Sequence, residues 1–126
     1  MTLTSITGRK AFVLIVEDEP LLRMMAADLA EEAGFGVIEA SDADEALAIL
    51  EVRTDIRIVF TDVDMPGSMD GMKLAAAIRG RWPPVELIVT SGHHRVADLI
   101  LPERGVFFEK PYDRRAVMDT MRRMAA

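Results

Sequence analysis

Cysteine is absent from the 126 residues of the chain. This absence excludes a disulfide framework, a thiolate nucleophile and a cysteine-ligated zinc site. Long hydrophobic runs are also lacking, because the apolar run over 11–16 ends at Glu17 and is too short for a signal-peptide core or a membrane span. We therefore expect a soluble protein of the cytoplasm with no membrane partner.

Basic side chains are in the minority: 15 lysines and arginines face 21 aspartates and glutamates, and the formal net charge is −6. Proteins that bind the nucleic-acid backbone carry a basic surface that displaces counterions. The composition therefore argues against direct binding of nucleic acid. The length is typical of one domain, and we assign residues 1–10 to a polar N-terminal extension and residues 11–126 to that domain.

Short apolar segments alternate with helical ones along the chain, which favours an α/β fold with a parallel sheet. The predicted strands are Ala11–Val16, Phe35–Glu39, Arg57–Thr61, Val85–Thr90 and Gly105–Glu109. Several of them are nearly continuous in valine, isoleucine, leucine and phenylalanine. Continuous apolar strands are typical of a sheet that is covered by helices on both faces.

Helical spacing of apolar residues predicts five helices between and after these strands. The first helix is predicted to begin at Pro20 and to stop at Gly34, and the second to begin at Ser41 with Asp44 as an acidic capping-box partner. The third is predicted over Gly71–Arg81, a short fourth near Arg95–Leu101, and the fifth from about Asp113 to the C-terminus. The first helix is expected to face the core with Leu22, Met25, Ala26, Leu29 and Ala33. The last is expected to do so with Val117, Met121 and Met124.

Polar residues follow the predicted strands at their carboxyl ends, where open parallel sheets bind ligands. Glu17 and Asp18 follow the first strand, Asp62 the third, Thr90 ends the fourth, and Lys110 follows the fifth. Three carboxylates brought together repel one another unless a cation lies among them. Mg²⁺ suits such a site because it prefers hard oxygen ligands and keeps several waters, and Mn²⁺ could substitute for it.

Beside a metal ion, a carboxylate can attack phosphorus and form an aspartyl phosphate. Asp62 is the candidate nucleophile, while Lys110 and the Thr90 hydroxyl would stabilise the phosphoryl oxygens. Each residue alone is a weak signal, since an acidic pair such as Glu17-Asp18 is more often a solvated turn or a helix cap. The ordered occurrence of all of them at successive strand ends is what indicates phosphoryl chemistry.

The full set of motifs resembles that of response-regulator receiver domains, from Ala11 to the C-terminus. It consists of Glu17-Asp18, Asp62, Met65-Pro66, Asp70-Gly71, Thr90-Ser91 and Lys110-Pro111. The resemblance implies a flavodoxin-like (βα)₅ fold with strand order 2-1-3-4-5, and it is nearest to single-domain members similar to the chemotaxis regulator. Since the chain ends at its last helix without a linker, we expect a complete regulator.

The same resemblance assigns roles to individual residues. Asp62 would accept the phosphoryl group, and Glu17 and Asp18 would hold Mg²⁺ directly or through water. The main-chain carbonyl of Asp64 would complete the protein's share of the metal shell. Such a domain catalyses only its own phosphorylation and dephosphorylation and is not otherwise an enzyme.

Switching and partners are implied in the same way. Thr90 would move toward the phosphoryl oxygens, Lys110 would pair with them, and the ring of Phe107 would move inward on activation. The donor would be a histidine kinase or a phosphotransfer protein. A downstream protein would bind the surface formed by the fourth helix, the fifth strand and the fifth helix.

The sequence departs from the family pattern at a few points. The loop 65–71 is longer than the common form, and the segment from Thr90 to Lys110 is shorter, so the fourth helix is expected to be short or shifted. Asp64 places an acidic side chain two residues after the acceptor, where we expect it to influence phosphoryl lifetime. His93 and His94 are expected to be loop residues without a metal or relay role, since adjacent residues on an extended loop point apart.

Two alternatives remain. Asp62-Val63-Asp64 after an apolar strand is similar to the nucleophile and acid pair of haloacid-dehalogenase-type phosphatases, although that family places the motif at its first strand and normally has a longer chain. The other alternative is a receiver-like module that binds a partner without being phosphorylated. The presence of every expected site residue argues against it.

Overall fold

The computed structural model describes residues 10–67, 69–95 and 99–126. Their strands form one parallel sheet in the order β2-β1-β3-β4-β5. The strands are β1 (Phe12–Val16), β2 (Gly36–Ala40), β3 (Ile56–Asp62), β4 (Glu86–Ser91) and β5 (Gly105–Glu109). The predicted α/β fold and strand order are confirmed, and four of the five predicted strands differ from the observed ones by one residue at one or both ends.

Four helices occur in the described part of the chain. They are α1 (Pro20–Glu32), α2 (Ala43–Val52), α3 (Gly71–Arg81) and α4 (Arg114–Ala125). The aspartates before the last three each cap a helix, since a carboxylate of Asp42, Asp70 or Asp113 accepts a hydrogen bond from a first-turn amide. Such caps satisfy backbone N–H groups that have no partner inside the helix.

The predicted start of the second helix at Ser41 with Asp44 is wrong by one or two residues. Asp42 is the capping residue and accepts from the Glu45 amide at 2.8 Å. The Glu45 carboxylate in turn accepts from the Ser41 amide at 3.3 Å. Ser41 and Asp42 are both good capping residues in sequence, and in the structure the Asp42 carboxylate takes this role.

The fourth predicted helix, near Arg95–Leu101, is not found among the described residues. Arg95 and the residues 99–101 are not helical, and the residues 96–98 lie outside the described part of the chain. Pro102 limits any helix in this segment from its C-terminal side. The chain between β4 and β5 is thus the part of the fold that departs most from the expected pattern.

The sheet is covered on both faces, and β1 shows this directly. Val13 and Ile15 belong to one hydrophobic cluster, Leu14 and Val16 to the other, and all of them are fully buried. One cluster contains the inner residues of α2 and α3, and the other contains those of α1 and α4. Burial on both faces explains why this strand is apolar at every position.

Most of the predicted core positions on the helices are confirmed. Buried are Ala26, Leu29, Ala33, Ala43, Ala46, Leu50, Leu74, Ala75, Ile78, Val117 and Met121, while Leu22, Leu47 and Met124 are partly buried. Met25 contradicts its prediction because it is 48% exposed. It follows the helical spacing of the core face, but it lies on the half of α1 near the strand ends and lines a cavity there.

None of the helices in the described part of the chain combines the length and apolar character that crossing a membrane requires.

Candidate functional site

The parallel sheet brings the predicted site residues to one edge. Glu17 directly follows β1, and its amide continues the ladder to β2 by donating to the Ala40 carbonyl at 3.1 Å. Asp62 is the last residue of β3 and lies opposite Thr90 of β4 in the register. Both are buried, with 7% and 1% of their surface exposed. The strand pairing therefore fixes the acceptor candidate next to the hydroxyl that was predicted to assist it.

Three carboxylates meet at this edge. Oxygen atoms of Glu17, Asp18 and Asp62 all lie within 4.8 Å of one another. Glu17 and Asp62 are buried, whereas Asp18 is exposed and leaves the cluster open to solvent on one side. The Glu17 carboxylate is held by the Glu19 amide, which donates to Oε2 at 3.0 Å. The carboxylate cluster predicted from two distant segments of sequence is thus assembled.

Lys110 supplies the positive charge. Its Nζ lies 3.1 Å from Oδ1 of Asp62 and 3.3 Å from Oε1 of Glu17. The backbone of Lys110 is anchored because its amide donates to the Ser91 carbonyl at 2.9 Å, extending the ladder between β4 and β5. The lysine that was predicted to pair with the phosphoryl oxygens thus lies beside the acceptor candidate.

The electrostatics of the cluster show that one lysine does not compensate three carboxylates. Burial raises the pKa of Asp62, Lys110 opposes that rise, and the charges of Asp64 and Asp18 add to it. Burial and the charge of Asp62 likewise raise the pKa of Glu17. Burial alone would lower the pKa of Lys110, but its carboxylate partners outweigh burial and raise it. A further cation would be stabilised here.

The residues present fit a hard divalent ion. Oδ1 of Asp62 is shielded from water and has no hydrogen-bond partner among the described residues, although the Lys110 ammonium lies 3.1 Å from it as an ion-pair partner. A buried carboxylate oxygen with spare lone pairs beside two further carboxylates is the donor set that Mg²⁺ prefers. Glu17, Asp18 and Asp62 are the side chains that would hold it.

A cavity of about 470 Å³ opens beside the acceptor candidate. Its polar lining includes Asp62, Thr90 and Lys110, and its apolar lining includes Met25 and Phe60. The cavity lies between α1 and the segment that follows β5. Sequence periodicity placed Met25 in the core and gave no signal for this cavity.

Gly71, the first residue of α3, packs directly against the acceptor strand. A Cβ atom at this position would lie 1.9 Å from the main-chain oxygen of Asp62. The Gly71 amide donates to the Val63 carbonyl at 2.9 Å, while the Val63 amide donates to the Thr90 carbonyl at 2.8 Å. Close approach of two backbones explains why glycine stands here.

The side chain of Asp64 points to the loop after β4. Its Oδ2 accepts a hydrogen bond from the Ser91 hydroxyl at 3.1 Å, and its Oδ1 lies 3.6 Å from Nδ1 of His94. His93 is exposed, as predicted for a loop residue. His94, in contrast, joins a polar network that sequence analysis missed, because no spacing rule connects residues of two separate loops.

Phe107 lies in β5 opposite Val89 and is partly buried. It packs against the cluster that contains Val89 and the inner residues of α2 and α3. Phe60, which lines the cavity, belongs to the cluster on the other face of the sheet. The predicted switch aromatic is thus within one strand of Thr90 but does not line the cavity at the acceptor.

Comparison with known proteins is consistent with this geometry. The family described as response regulator receiver domain matches residues 13–122. Among curated relatives, the nitrogen assimilation regulatory protein NtrX of Azorhizobium caulinodans is 34% identical over 80% of this chain and 23% of its own length. The response regulator protein FleR of Pseudomonas aeruginosa is 35% identical over 91% of this chain and 24% of its own length. The chain therefore spans about a quarter of the length of these relatives.

Solved structures agree. The receiver domain of the hybrid histidine kinase CckA matches 92% of this chain and 100% of its own, with a TM-score of 0.76 and 31% identity. A CheY-like receiver domain protein from Methanospirillum hungatei matches 90% of this chain and 91% of its own, with a TM-score of 0.79. At 22% identity, that second match shows the fold alone.

These matches do not support the phosphatase alternative. In the structure Asp62 ends the third strand and Val63 and Asp64 follow it, whereas the phosphatase alternative requires this motif at the first strand. By its sequence match, its strand order and the residues gathered at its strand ends, the chain belongs to the response regulator receiver domains of two-component signal transduction.

Proposed function

We propose that Asp62 accepts a phosphoryl group from the phosphohistidine of a histidine kinase or a phosphotransfer protein, in a reaction that requires Mg²⁺. One observation carries the proposal: the buried Asp62 carboxylate lies in a cluster with Glu17 and Asp18 and is paired with Lys110 at 3.1 Å. A nucleophile, a candidate metal site and a cation for the phosphoryl oxygens thus occur together.

In the proposed transfer, an oxygen of Asp62 attacks phosphorus while the bond from phosphorus to the donor nitrogen breaks in line with the attack. The electron pair of that bond stays on the imidazole, which is protonated from solvent. Lys110 and the Thr90 hydroxyl are placed to stabilise the phosphoryl oxygens. Bound Mg²⁺, held by Glu17, Asp18, Asp62 and the main-chain carbonyl of Asp64, would neutralise the charge of the phosphoryl group.

Water later hydrolyses the aspartyl phosphate, so the domain catalyses only its own phosphorylation and dephosphorylation. The added charge of roughly −1.5 to −2 draws Thr90 inward and lets Phe107 follow. Several charge-assisted contacts supply the roughly 3–5 kcal/mol that shifts such a switch from mostly off to mostly on. A protein partner binds the surface formed by β5, α4 and the chain between β4 and β5, and recognises the conformational change there.

We also propose that the protein acts in the cytoplasm and contacts neither nucleic acid nor a membrane directly. The net charge of −6 supports the first of these two exclusions, because an acidic surface repels the phosphate backbone.

Incubation with acetyl phosphate and Mg²⁺, followed by intact-mass measurement, tests the acceptor. Wild type is expected to gain one phosphoryl group that hydroxylamine removes, and Asp62→Ala is expected to gain none. Chelation with EDTA should abolish the gain, and Mn²⁺ should restore it. Asp28→Ala, at a helix aspartate away from the cluster, is the control that should be phosphorylated like wild type.

An adduct of equal yield on Asp62→Ala would show that another residue accepts the group. Steady release of phosphate from a small phosphate ester, without a stoichiometric adduct, would instead support the phosphatase alternative. No adduct on wild type under any of these conditions would support a module that binds its partner without phosphorylation.

A further inference from the structure

Ser91 connects the loops that follow β3 and β4. Its fully buried hydroxyl donates to Oδ2 of Asp64 at 3.1 Å and lies 3.1 Å from Nδ1 of His94. The amides of His93 and His94 both donate to the same hydroxyl oxygen at 3.0 Å. We call the three side chains of Asp64, Ser91 and His94 the loop network.

The role of His94 in the loop network follows from where the hydrogens of the Ser91 hydroxyl and the His94 ring lie. A serine hydroxyl has one proton. Both lone pairs of the Ser91 oxygen accept from the amides of His93 and His94. Nδ1 of His94 therefore either accepts the Ser91 proton or carries its own hydrogen, and only in the second case does Ser91 donate to Asp64. The same nitrogen lies 3.6 Å from Oδ1 of Asp64, which is beyond hydrogen-bond distance, so a hydrogen on Nδ1 keeps the Ser91 proton on Asp64 and attracts the carboxylate electrostatically.

The loop network hydrogen-bonds Oδ2 of Asp64 and turns the carboxylate toward β4, with Oδ1 facing His94 at 3.6 Å. Asp64 is nonetheless close to the acceptor, since it follows Asp62, the last residue of β3, by two residues. A carboxylate two residues from the acceptor, once free to rotate, can accept a hydrogen bond from a water that approaches the phosphoryl group. Orienting a nucleophile in this way accelerates its attack.

We propose that His94 is a positioning residue which, through Ser91, holds Asp64 away from the aspartyl phosphate and so prolongs the phosphorylated state. The inference rests on the proposed phosphorylation of Asp62. It assigns a function to a histidine that the proposed transfer chemistry does not use.

The step that His94 slows is ordinary hydrolysis. The oxygen of water attacks phosphorus, the bond from phosphorus to Asp62 breaks, and its electron pair returns to the Asp62 carboxylate. Both hydrogens of the water leave with the dihydrogen phosphate product, so no other reactant is needed. Asp64 only orients the attacking water, and the loop network decides whether it is available to do so.

The experiment measures the decay of the phosphorylated full chain after acetyl phosphate is removed. His94→Ala is expected to shorten its half-life at least about threefold. His94→Asn should retain most of the wild-type half-life, because the asparagine amide nitrogen stands where Nδ1 stood. His94→Gln, whose amide lies one bond farther out, should behave like His94→Ala and provides a second variant if alanine impairs folding.

His93→Ala is the matched control. His93 is the same residue type at the adjacent position, and its exposed ring makes no hydrogen bond or ion pair with the described residues, so its removal should leave the half-life unchanged. In an Asp64→Asn background, His94→Ala should have no further effect, because the carboxylate that it would release is gone.

The outcomes separate the two proposals. If wild type forms no adduct, the proposed phosphorylation fails. If wild type is phosphorylated but His94→Ala decays at the same rate, only the role of His94 is overturned. Shortening that persists in the Asp64→Asn background, or that His93→Ala reproduces, also overturns it, because the effect would then not act through Asp64. Equal decay of His94→Asn and His94→Ala would likewise contradict the positioning role.

Discussion

The side chains of Lys110 and Asp62 form an ion pair of 3.1 Å although their strands are not neighbours in the sheet. β4 lies between β3 and β5, so the lysine reaches across the end of the intervening strand beside Thr90. The same ammonium also lies 3.3 Å from Glu17. One cation thus pairs with two carboxylates, one at the end of β3 and one directly after β1.

Removal of this cation should destabilise the metal-free protein. Lys110→Met leaves buried carboxylates without compensation, which costs about 1–3 kcal/mol of the free energy of unfolding. Asp62→Asn should act in the opposite direction and stabilise by about 1 kcal/mol, since it removes a buried charge. Urea unfolding in EDTA measures both.

Arg114→Met is the control for Lys110→Met, because Arg114 pairs with Glu32 at 2.8 Å on the exposed surface. Such surface pairs contribute at most about 1 kcal/mol. If Lys110→Met is as stable as wild type, the site does not carry the uncompensated charge described above.

The stability of the metal-free protein should depend on pH through Asp62 and Glu17. Their folded-state pKa values are raised above the ordinary 3.8 and 4.5, so the folded state binds protons more tightly than the unfolded chain. The tighter proton binding stabilises the folded state at low pH. The free energy of unfolding therefore decreases as pH rises from the ordinary pKa values through the raised ones.

The measurement is urea unfolding in EDTA between about pH 4 and pH 7, with wild type beside Asp62→Asn. The stabilisation by Asp62→Asn should grow as pH rises through this window. A difference that stays constant with pH would contradict the raised pKa of Asp62. Saturating Mg²⁺ should make wild type less sensitive to pH in the same range, because the ion compensates the ionised carboxylates.

Two glycines of α3 should respond oppositely to alanine. Gly71→Ala places a Cβ 1.9 Å from the main-chain oxygen of Asp62, and we expect it to destabilise by about 2 kcal/mol or more and to slow phosphorylation, because α3 must move away from β3. Gly80→Ala meets nothing within 4 Å and should stabilise by about 0.5–1 kcal/mol through helix propensity. Thermal unfolding compares them, and equal effects would refute the close approach at Gly71.

Arg79 should be a structural residue at the edge of the sheet away from the acceptor. Its guanidinium donates to the carbonyls of Glu103, Pro83 and Val85 at 2.7–2.8 Å, which joins the end of α3 to the chain before β4 and before β5. Arg79→Ala should lower the free energy of unfolding by about 2–3 kcal/mol, while acetyl phosphate still phosphorylates the protein.

Arg81→Ala is the control, because Arg81 is exposed and pairs with a carboxylate of α2. It should lower the free energy of unfolding by at most about 1 kcal/mol. Equal losses of stability in the two variants would contradict the role of Arg79.

Sequence alone was sufficient for the features that depend on local pattern. The apolar strands and α3 were located to within one residue, because burial on both faces leaves a continuous hydrophobic signal and because Gly71 and Pro83 flank the helix. The meeting of Glu17, Asp62 and Lys110 was also predictable, since the carboxyl ends of parallel strands share one edge of a sheet.

Tertiary structure alone decided the features that depend on contacts between distant segments. Helical spacing assigned Met25 to the core, but its position on α1 relative to the strand ends makes it a wall of the cavity. Among the neighbouring candidates at 41–44, the structure places the Asp42 carboxylate, and not the Ser41 hydroxyl, on the first-turn amide of α2. His94 reaches Asp64 only because β3 and β4 lie side by side, and no local pattern in either loop encodes that proximity.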